Sequence, residues 1–498
     1  MNYLNRAKLH LFCLTILTLL LSFISLNTLA NEQISEKKIT RIEKYINQSM
    51  SKLELPGLAV GIIEDGSTKL LKGYGIRNSE GAPMTEDTSI ELGSVSKSFT
   101  ALAVMLLAEQ GKFDIDKPVI DYIPWFQTQN KSMSDKIVLR HLLTHRSGFS
   151  SREGNLTLLN QDNSYDAYRN TVQQLTNIAL IFEPGTEFQY SNINYEILGY
   201  LLELATGKRY EDAIEDIIFK PLSMTDSFVL APKNSTTKVA QGFQFNFGHI
   251  EPSIVKQGRV TLAQGRLKVS ARDMLTYLEQ YMSGNDSFIS AATKEAMFAL
   301  PANNQQWGYG MGLYVSQKSD HRLIFHMGRS FGYETVMLFS PEKRFAMVAL
   351  ANAHSGFGNK NVGALLRGIG DIVLNKPPAE IDSPMVEKIL FYSMFLLPLF
   401  ILFFAGNFIR KYRQGFHPLA NSSSKKIAVL TRLVIPGTVL LGLAYLVLVF
   451  LPGIYHMPLS VVALSEPTLY AGMLLCASVA ILWFVIRSIL ILKPARMG

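Results

Sequence analysis

Cysteine is almost absent from this sequence. Two cysteines occur in 498 residues, Cys13 and Cys476, and both lie in strongly apolar stretches near the ends of the chain. The long central part therefore has neither a disulfide framework nor thiol chemistry. Histidine is also sparse, with nine scattered residues and no H-E-x-x-H or paired-cysteine spacing. The sequence gives no support for a metal site, and nothing in it requires a cofactor.

A net charge of either sign is also missing from most of the chain. Of the 48 Lys and Arg residues and 40 acids, nine bases and one acid lie from Ile389 onward, which leaves 39 of each before it. The net charge of +8 is therefore confined to the C-terminal region. A basic face for nucleic acid has no support, and we expect no nucleic-acid partner.

Long apolar runs stand at both ends of the chain. Residues 1–30 combine two basic residues, an apolar run and a small-residue segment, which is typical of a secretory signal peptide; an uncleaved N-terminal anchor is the alternative. Three C-terminal stretches are long enough to cross a bilayer core of about 30 Å. These stretches are Ile389–Phe408, Val434–Leu451 and Leu469–Ile486.

The bases around these stretches predict their orientation. Five Lys or Arg residues lie between positions 409 and 426, none lies between 452 and 468, and Lys493 and Arg496 follow the third stretch. By the positive-inside rule, the first loop and the C-terminus are cytoplasmic. We therefore predict a multi-pass protein of the cytoplasmic membrane, with an extracytoplasmic domain (residues 31–376), a linker (377–388) and a membrane region (389–498).

Hydrophobic periodicity predicts an α+β fold for the exported part. Residues 36–52 have helical spacing, and "LAVGIIEDGSTKLLKGYGI" predicts two strands joined at Asp65-Gly66. Three more strands are predicted in "HRLIFHMG", "YETVMLF" and "RFAMVALAN", and a closing helix near residues 362–374. Residues 94–300 are mostly helix and loop. We expect a five-stranded antiparallel sheet built from both chain ends, flanked by helices, with a helical insertion.

Two polar residues open an otherwise apolar helix in "ELGSVSKSFTALAVMLLAEQG". Ser94 and Lys97 are three residues apart, so at a helix start they share a face. A serine hydroxyl becomes a nucleophile when a base takes its proton, and burial lowers the pKa of a lysine enough for that task. The alternative is that Ser94 caps the helix and Lys97 is solvated.

Two further segments carry candidate functional residues. Tyr190-Ser191-Asn192 precedes an apolar helix, where Tyr190 would relay the serine proton and Asn192 would orient Lys97 or hold a substrate carbonyl; the alternative is a core tyrosine and a helix cap. His326-Met327-Gly328 ends a predicted strand. Gly328 would let substrate lie close to that strand, and the N–H of Arg329 would be an oxyanion donor. The alternative is that His326 has only a structural role at the end of the strand.

Together, in this order and spacing, S-V-S-K, Y-S-N and H-M-G resemble the elements of the serine β-lactamase and penicillin-binding-protein superfamily. The likeness is greatest to the branch of class C β-lactamases, D-amino-acid peptidases and family VIII esterases, and covers about residues 36–375. It implies that Ser94 is the nucleophile, that Lys97 and Tyr190 transfer protons, and that the N–H groups of Ser94 and Arg329 form the oxyanion hole. Supporting segments are "PGLAVGI", "KGYG", "LRHLLTHRSGF", "EPGTEFQYSN" and "FKPLSMTDSF".

The resemblance implies a membrane-anchored serine hydrolase that forms an acyl-enzyme on an ester, a D-amino-acid or cell-wall-type peptide, or weakly on a β-lactam. Two departures bear on the substrate. His326 replaces the lysine that usually meets a ligand carboxylate, and Arg266 stands where a small residue is expected. Strand alternation turns the Arg329 side chain away from that of His326.

Two other interpretations compete with this one. Gly328-Arg329-Ser330-Phe331-Gly332 matches G-x-S-x-G, which would make Ser330 the nucleophile, but that motif requires a helix where a strand is predicted to follow. A catalytically inactive, penicillin-binding-protein-like receptor or scaffold is the second. His141 and His145 bracket a helix end, and we expect structural roles for both.

Overall fold

The computed structural model describes residues 35–493, except 231–237, 247–248, 302–305, 319, 355–361, 379, 382–384, 417–418 and 420–423. The predicted signal peptide, residues 1–30, lies outside the described residues. The chain divides into two compact units, with the boundary between residues 383 and 384.

The first unit is organised around one antiparallel sheet. Its strands have the spatial order β2-β1-β11-β10-β9-β8-β7, so the first strands of the chain pair with the last. Two additional pairs, β3 with β6 and β4 with β5, form small separate sheets. The strands are β1 (Gly57–Glu64), β2 (Ser67–Gly75), β3 (Ile90–Glu91), β4 (Phe243–Asn246), β5 (His249–Pro252), β6 (Lys268–Val269), β7 (Trp307–Tyr309), β8 (Tyr314–Gln317), β9 (Arg322–Ser330), β10 (Tyr333–Ser340) and β11 (Phe345–Ala351).

The predicted strands and their connections are confirmed. β1 and β2 form a hairpin through Asp65 and Gly66, whose φ angles of 52° and 72° match the turn expected for an Asp-Gly pair. β9, β10 and β11 follow one another as an antiparallel meander. The expectation of five strands was incomplete, because β7 and β8 extend the sheet beyond β9. These two strands are three and four residues long, too short to give a clear alternating pattern.

Most helices of the first unit lie between β3 and β7, as predicted. The first helix has Ser35 as its N-cap and Glu54, whose φ is 53°, as its C-cap. The helices are α1 (Glu36–Leu53), α2 (Ser96–Glu109), α3 (Lys131–Ser134), α4 (Leu139–Leu143), α5 (Ser151–Leu156), α6 (Ala167–Gln174), α7 (Asn192–Thr206), α8 (Tyr210–Ile214), α9 (Leu262–Gly265), α10 (Ala271–Met282), α11 (Ala291–Phe298) and α12 (Val362–Val373).

The sheet is covered on both faces. Leu58, Val60 and Ile62 of β1 pack into the core under α1 and α12, whereas Ala59 and Ile63 pack into the core of the helical insertion. This alternation is the period-two pattern of a strand, and it explains why every residue of β1 is buried. The sheet is therefore a rigid platform between two cores, and it holds β9 against the start of α2.

The second unit contains three helices long and apolar enough to cross a membrane: Phe391–Arg413, Lys426–Ile454 and Pro467–Leu492. The prediction of three such stretches is confirmed by length and composition. The first lies within α13, Met385–Arg413, which begins inside the segment predicted as a linker. The other helices are α14 (Lys425–Val429), α15 (Ile435–Tyr445), α16 (Leu451–Ile454), α17 (Leu459–Ser465) and α18 (Pro467–Leu492); π-helical segments Leu430–Val434 and Leu446–Phe450 join α14, α15 and α16.

Candidate active site

Ser94 lies at the start of a helix that is buried over most of its length. It occupies a 3-10 turn, Gly93–Val95, that runs directly into α2, and every residue of α2 from Ser96 to Leu107 is buried. Ser94 itself is half-buried. The predicted position at a helix start is confirmed, and the serine is presented at the edge of the core, where its hydroxyl can meet a substrate.

Lys97 is fully buried one turn further along. Its Nζ lies 3.2 Å from Ser94 Oγ, 2.9 Å from Asn192 Oδ1 and 2.7 Å from the carbonyl oxygen of Gln264. Burial lowers the pKa of Lys97 to about 7, against an opposing effect of the Glu196 charge. The alternative of a solvated lysine is therefore wrong. A lysine that is partly neutral near pH 7 and touches a serine hydroxyl has the requirements of a general base.

Tyr190 forms one wall of the site. Lys97 Nζ lies 4.9 Å from the centre of its ring, and the Tyr190 hydroxyl is buried without a hydrogen-bond partner among the described residues. Burial raises the pKa of Tyr190 well above its usual value, although the nearby Ser94 side chain has a smaller opposing effect. Tyr190 is therefore a neutral phenol near Ser94, suited to relay a proton and unsuited to act as a phenolate base.

Asn192 begins α7 and points into the site. Its Oδ1 accepts the hydrogen bond from Lys97, and its Nδ2 donates to the carbonyl oxygen of Gly154 over 3.3 Å. The N-cap position belongs to Ser191, so the alternative that Asn192 is a helix cap is wrong. The sequence expectation that Asn192 orients Lys97 agrees with these contacts.

Gly328 brings strand β9 against the serine turn. A Cβ on Gly328 would lie 1.8 Å from the Leu92 carbonyl oxygen, and a Cβ on Gly93 would lie 2.4 Å from the backbone nitrogen of Arg329. The backbone of Arg329 is therefore packed against Gly93, the residue before Ser94. The Arg329 side chain is 55% exposed and reaches Glu334 at 3.5 Å.

His326 is buried and uncharged. Its Nδ1 lies 2.8 Å from the Met327 carbonyl oxygen and therefore carries the proton, while Nε2 accepts from the Tyr309 hydroxyl over 3.1 Å. Burial, aided by the Lys97 charge, lowers the pKa of His326 to about 3. Both ring nitrogens are occupied, so His326 stays neutral at physiological pH.

His145 also lies in the site. Its ring packs 4.2 Å from that of Tyr190, and its Nδ1 accepts from the Ser191 N–H over 3.2 Å and from the Asn194 amide over 2.9 Å. Burial lowers its pKa well below the usual value. These contacts fix the backbone before α7 and agree with the expected structural role. His141 accepts from the Val138 N–H at the start of α4.

Ser330 is excluded as a nucleophile by its surroundings. It ends β9, and the chain turns through Phe331 and Gly332 into β10, so no helix follows the G-x-S-x-G segment. Its hydroxyl donates to the buried carboxylate of Glu91. The hydrolase-elbow interpretation is therefore wrong. In the part of the chain that the structure describes, no group of three or more His, Cys, Asp or Glu side chains could hold a metal ion.

The residues that the sequence placed far apart thus meet at one point, with Ser94 and Lys97 below the Gly328 strand and Tyr190 and Asn192 beside them. A sequence profile described as Beta-lactamase matches residues 42–368, about two thirds of the chain. The chain belongs to the beta-lactamase family. The family resemblance inferred from the motifs is therefore confirmed.

Two bacterial proteins illustrate the similarity of this chain to known sequences. Protein flp of Staphylococcus aureus strain N315 is 25% identical over 424 residues, which cover 82% of this chain and 83% of that protein. Penicillin-binding protein 4* of Bacillus subtilis strain 168 is 27% identical over 336 residues, which cover 62% of this chain and 70% of that protein.

Two solved structures have a fold similar to that of this chain. The octameric penicillin-binding protein homologue from Pyrococcus abyssi matches with a TM-score of 0.57 and 27% identity, covering 68% of this chain and 78% of that one. EstCE1, a hydrolase with promiscuous acyltransferase activity, matches with a TM-score of 0.58, covering 68% and 98%. At 22% identity, EstCE1 shows a likeness of fold alone.

Two site residues were missed from the sequence. Gln264 binds Lys97 through its backbone carbonyl, which leaves no trace in a side-chain pattern. Glu196 is buried one helical turn after Asn192, and a carboxyl at that spacing in an apolar helix was a usable signal. The Ser96 hydroxyl accepts a hydrogen bond from the Leu267 N–H.

Proposed function

We propose that this protein is a membrane-anchored serine hydrolase that cleaves an ester or amide through an acyl-enzyme on Ser94. The observation that carries the proposal is the buried Lys97, whose Nζ lies 3.2 Å from Ser94 Oγ and whose pKa burial lowers to about 7. A structural lysine gains nothing from being held uncharged, whereas a base for a serine nucleophile requires it.

In the acylation step, Ser94 Oγ attacks the substrate carbonyl carbon while its proton passes to Lys97 Nζ, directly or through the Tyr190 hydroxyl. The carbonyl oxygen becomes an oxyanion beside the N–H groups of Ser94 and Arg329. When the tetrahedral intermediate collapses, the bond to the leaving group breaks and the leaving group takes the proton. A water molecule repeats the sequence on the acyl-enzyme and releases the acid, which restores Ser94.

The basic residues around the site are neutral or already paired with carboxylates. This favours a substrate without a carboxylate beside the scissile bond. His326 is neutral, and the Arg329 side chain extends toward Glu334. Lys268 and Arg266 are both paired with Glu91, at 3.4 and 3.5 Å. A neutral ester or peptide amide therefore fits this site better than a β-lactam or a peptide with a terminal carboxylate. A cell-wall peptide fits this site only if its scissile bond is internal.

The location is part of the proposal. The positive-inside rule places the Ser94 domain on the extracytoplasmic side and the C-terminus in the cytoplasm. Single cysteines introduced at Ser132 and Gln414 in a background without Cys13 and Cys476 test it. We expect an impermeant thiol reagent to label the cysteine at position 132 in intact cells and the one at 414 after lysis. Labelling of position 414 in intact cells would refute the orientation.

Hydrolysis of a neutral acyl ester such as p-nitrophenyl butyrate tests the activity. The full-length chain in detergent should hydrolyse the ester, and Ser94→Ala should lose that activity while unfolding at the same temperature. Equal activity in both proteins would refute the proposal. Absence of turnover across neutral esters and peptides would favour the inactive receptor or scaffold instead.

A further inference from the structure

Glu196 is a buried carboxyl on the helix that begins at Asn192. It follows Asn192 by one turn of α7 and is 1% exposed. Its Oε1 accepts from the Thr157 hydroxyl and, over 3.5 Å, from the Gln264 side-chain amide. Its Oε2 is buried without a hydrogen-bond partner among the described residues. Burying a carboxyl with one oxygen unpartnered is costly, so its retention at this point requires a reason.

Glu196 and Lys97 are connected through Gln264 and through helix α7. Gln264 accepts from Lys97 through its backbone carbonyl at 2.7 Å and donates to Glu196 through its side chain. Asn192, on the same helix face as Glu196, accepts from Lys97 at 2.9 Å. The carboxyl and the base are therefore held by the same two parts of the fold.

The charges of the two groups also act on each other. Burial raises the pKa of Glu196 to about 8, while Thr157 and the Lys97 charge oppose that rise. Burial lowers the pKa of Lys97 to about 7, while the Glu196 charge opposes that fall. The two groups therefore titrate as a coupled pair over the same pH range.

The other ionisable groups around the pair are uncharged, at least partly exposed to solvent, or engaged elsewhere. His145, His326, Tyr190 and Tyr195 face Lys97 and are held neutral by burial. On the neighbouring helix α5, Arg152 is exposed and Glu153 half-exposed. Arg259, on the segment before α9, is bound by Glu203 and Glu211. Glu196 is the anion that acts on Lys97.

We propose that Glu196 is a positioning residue for Lys97, and that its carboxylate balances the ammonium formed when Lys97 takes the proton of Ser94. The inference rests on the proposed hydrolase function. The active form has Lys97 neutral and Glu196 ionised. Transfer of the Ser94 proton then forms the ammonium within reach of an opposite buried charge, in place of a lone buried cation.

The pH dependence of Ser94 modification tests this role. The full-length chain in detergent is treated with a fluorophosphonate from pH 5 to 9, and the second-order rate of Ser94 modification is measured. In the native protein the rate rises with pH through the range in which both groups lose protons. The acid limb is the part of the pH–rate profile in which the rate rises with pH, and the plateau is the constant rate above it. In Glu196→Gln the acid limb should move at least half a pH unit lower and become less steep, and the rate at the plateau should fall about 10-fold.

Three further variants separate charge from packing. Glu196→Asp keeps the charge and should retain the native limb. Thr157→Val removes a hydrogen bond that lowers the pKa of Glu196, so its limb should move to higher pH, opposite to Glu196→Gln. Glu153→Gln removes a carboxylate on the neighbouring helix that does not act on Lys97, so this variant should leave the acid limb unchanged.

Two outcomes overturn the inference, and each is distinct from failure of the proposed function. If Glu196→Gln folds and its acid limb lies at the same pH as in the native protein, the proposed role of Glu196 is refuted, whatever the rate at the plateau. If that variant does not fold, an unmoved limb in Thr157→Val refutes it. Failure of the native protein to react at Ser94 at any pH refutes the proposed function itself.

Discussion

Lys97 Nζ lies 3.2 Å from Ser94 Oγ, and the lysine has no exposed surface. The three acceptors that surround Nζ come from Ser94, the start of α7 and the end of α9, segments separated by more than 60 residues. Folding of the insertion therefore assembles the base and holds it next to its nucleophile before any substrate arrives. This preorganisation is what the proposed acyl transfer requires.

Ester hydrolysis should follow the protonation of Lys97. Because the neutral amine is the base and burial lowers its pKa to about 7, while the pKa of the Glu196 carboxyl is raised to about 8, kcat/KM should rise with pH between about 6 and 9. A lysine with its usual pKa would place this rise near pH 10. Measurement of kcat/KM from pH 5 to 10 distinguishes the two.

Lys97→Arg should abolish this base. A guanidinium stays charged at all accessible pH values, so we expect a loss of about 10³-fold or more in kcat. Lys294, another mostly buried lysine, contacts Asp286 far from the site, and Lys294→Arg should keep at least half of the native rate. An active Lys97→Arg protein would show that another group takes the proton.

Tyr190→Phe should lower kcat by about 10²-fold and leave the acid limb in place. The tyrosine hydroxyl relays a proton but stays protonated, because burial raises its pKa well above the usual value. A pH–rate profile of the variant checks this. Disappearance of the acid limb in Tyr190→Phe would mean that the phenol, and not Lys97, sets it.

Gly328→Ala should disrupt the contact between β9 and the serine turn. The added Cβ would meet the Leu92 carbonyl oxygen at 1.8 Å, so we expect a loss of about 1–3 kcal/mol in the free energy of unfolding and a larger loss of activity. Gly284 has open space around it, and Gly284→Ala should change neither. Denaturant unfolding and ester hydrolysis of both variants measure the difference. Native stability of Gly328→Ala would contradict the close packing.

The preference for a neutral substrate over an acidic one, measured as a ratio of kcat/KM values, should not depend on pH. For two acyl esters that differ by a carboxylate beside the scissile bond, we expect the neutral one to have a kcat/KM at least about 10-fold higher. The ratio should stay constant from pH 8 to 5.5, because His326 has a pKa of about 3 and remains uncharged. A ratio that shifts toward the acidic ester as pH falls through 6.5 would show an ordinary, titrating imidazole.

The sequence predicted those parts of the protein that leave a regular pattern. The Asp65-Gly66 hairpin, the helix that begins at Glu36 and the three apolar C-terminal helices were visible from periodicity, turn chemistry and length. The grouping of Ser94 with Tyr190 and Gly328 came from motif resemblance, because residues almost 100 and more than 200 positions apart share no local signal.

What the sequence did not reveal depends on long-range packing. Strands β7 and β8 are too short for a readable alternation and are defined by pairing with β9. The backbone carbonyl of Gln264 becomes a ligand of Lys97 only because α9 packs against α2 and α7. Ser330 matched a catalytic motif, yet its partner Glu91 lies 239 positions away. Such contacts follow from the fold and cannot be read from spacing.

Identification of the modified serine tests the central claim most directly. The full-length protein is treated with a fluorophosphonate, its intact mass is recorded, and the labelled peptide is sequenced by mass spectrometry. We predict one label, on Ser94, that is absent from folded Ser94→Ala and present in Ser330→Ala. A label on Ser330, or on any residue of the Ser94→Ala protein, would contradict the account.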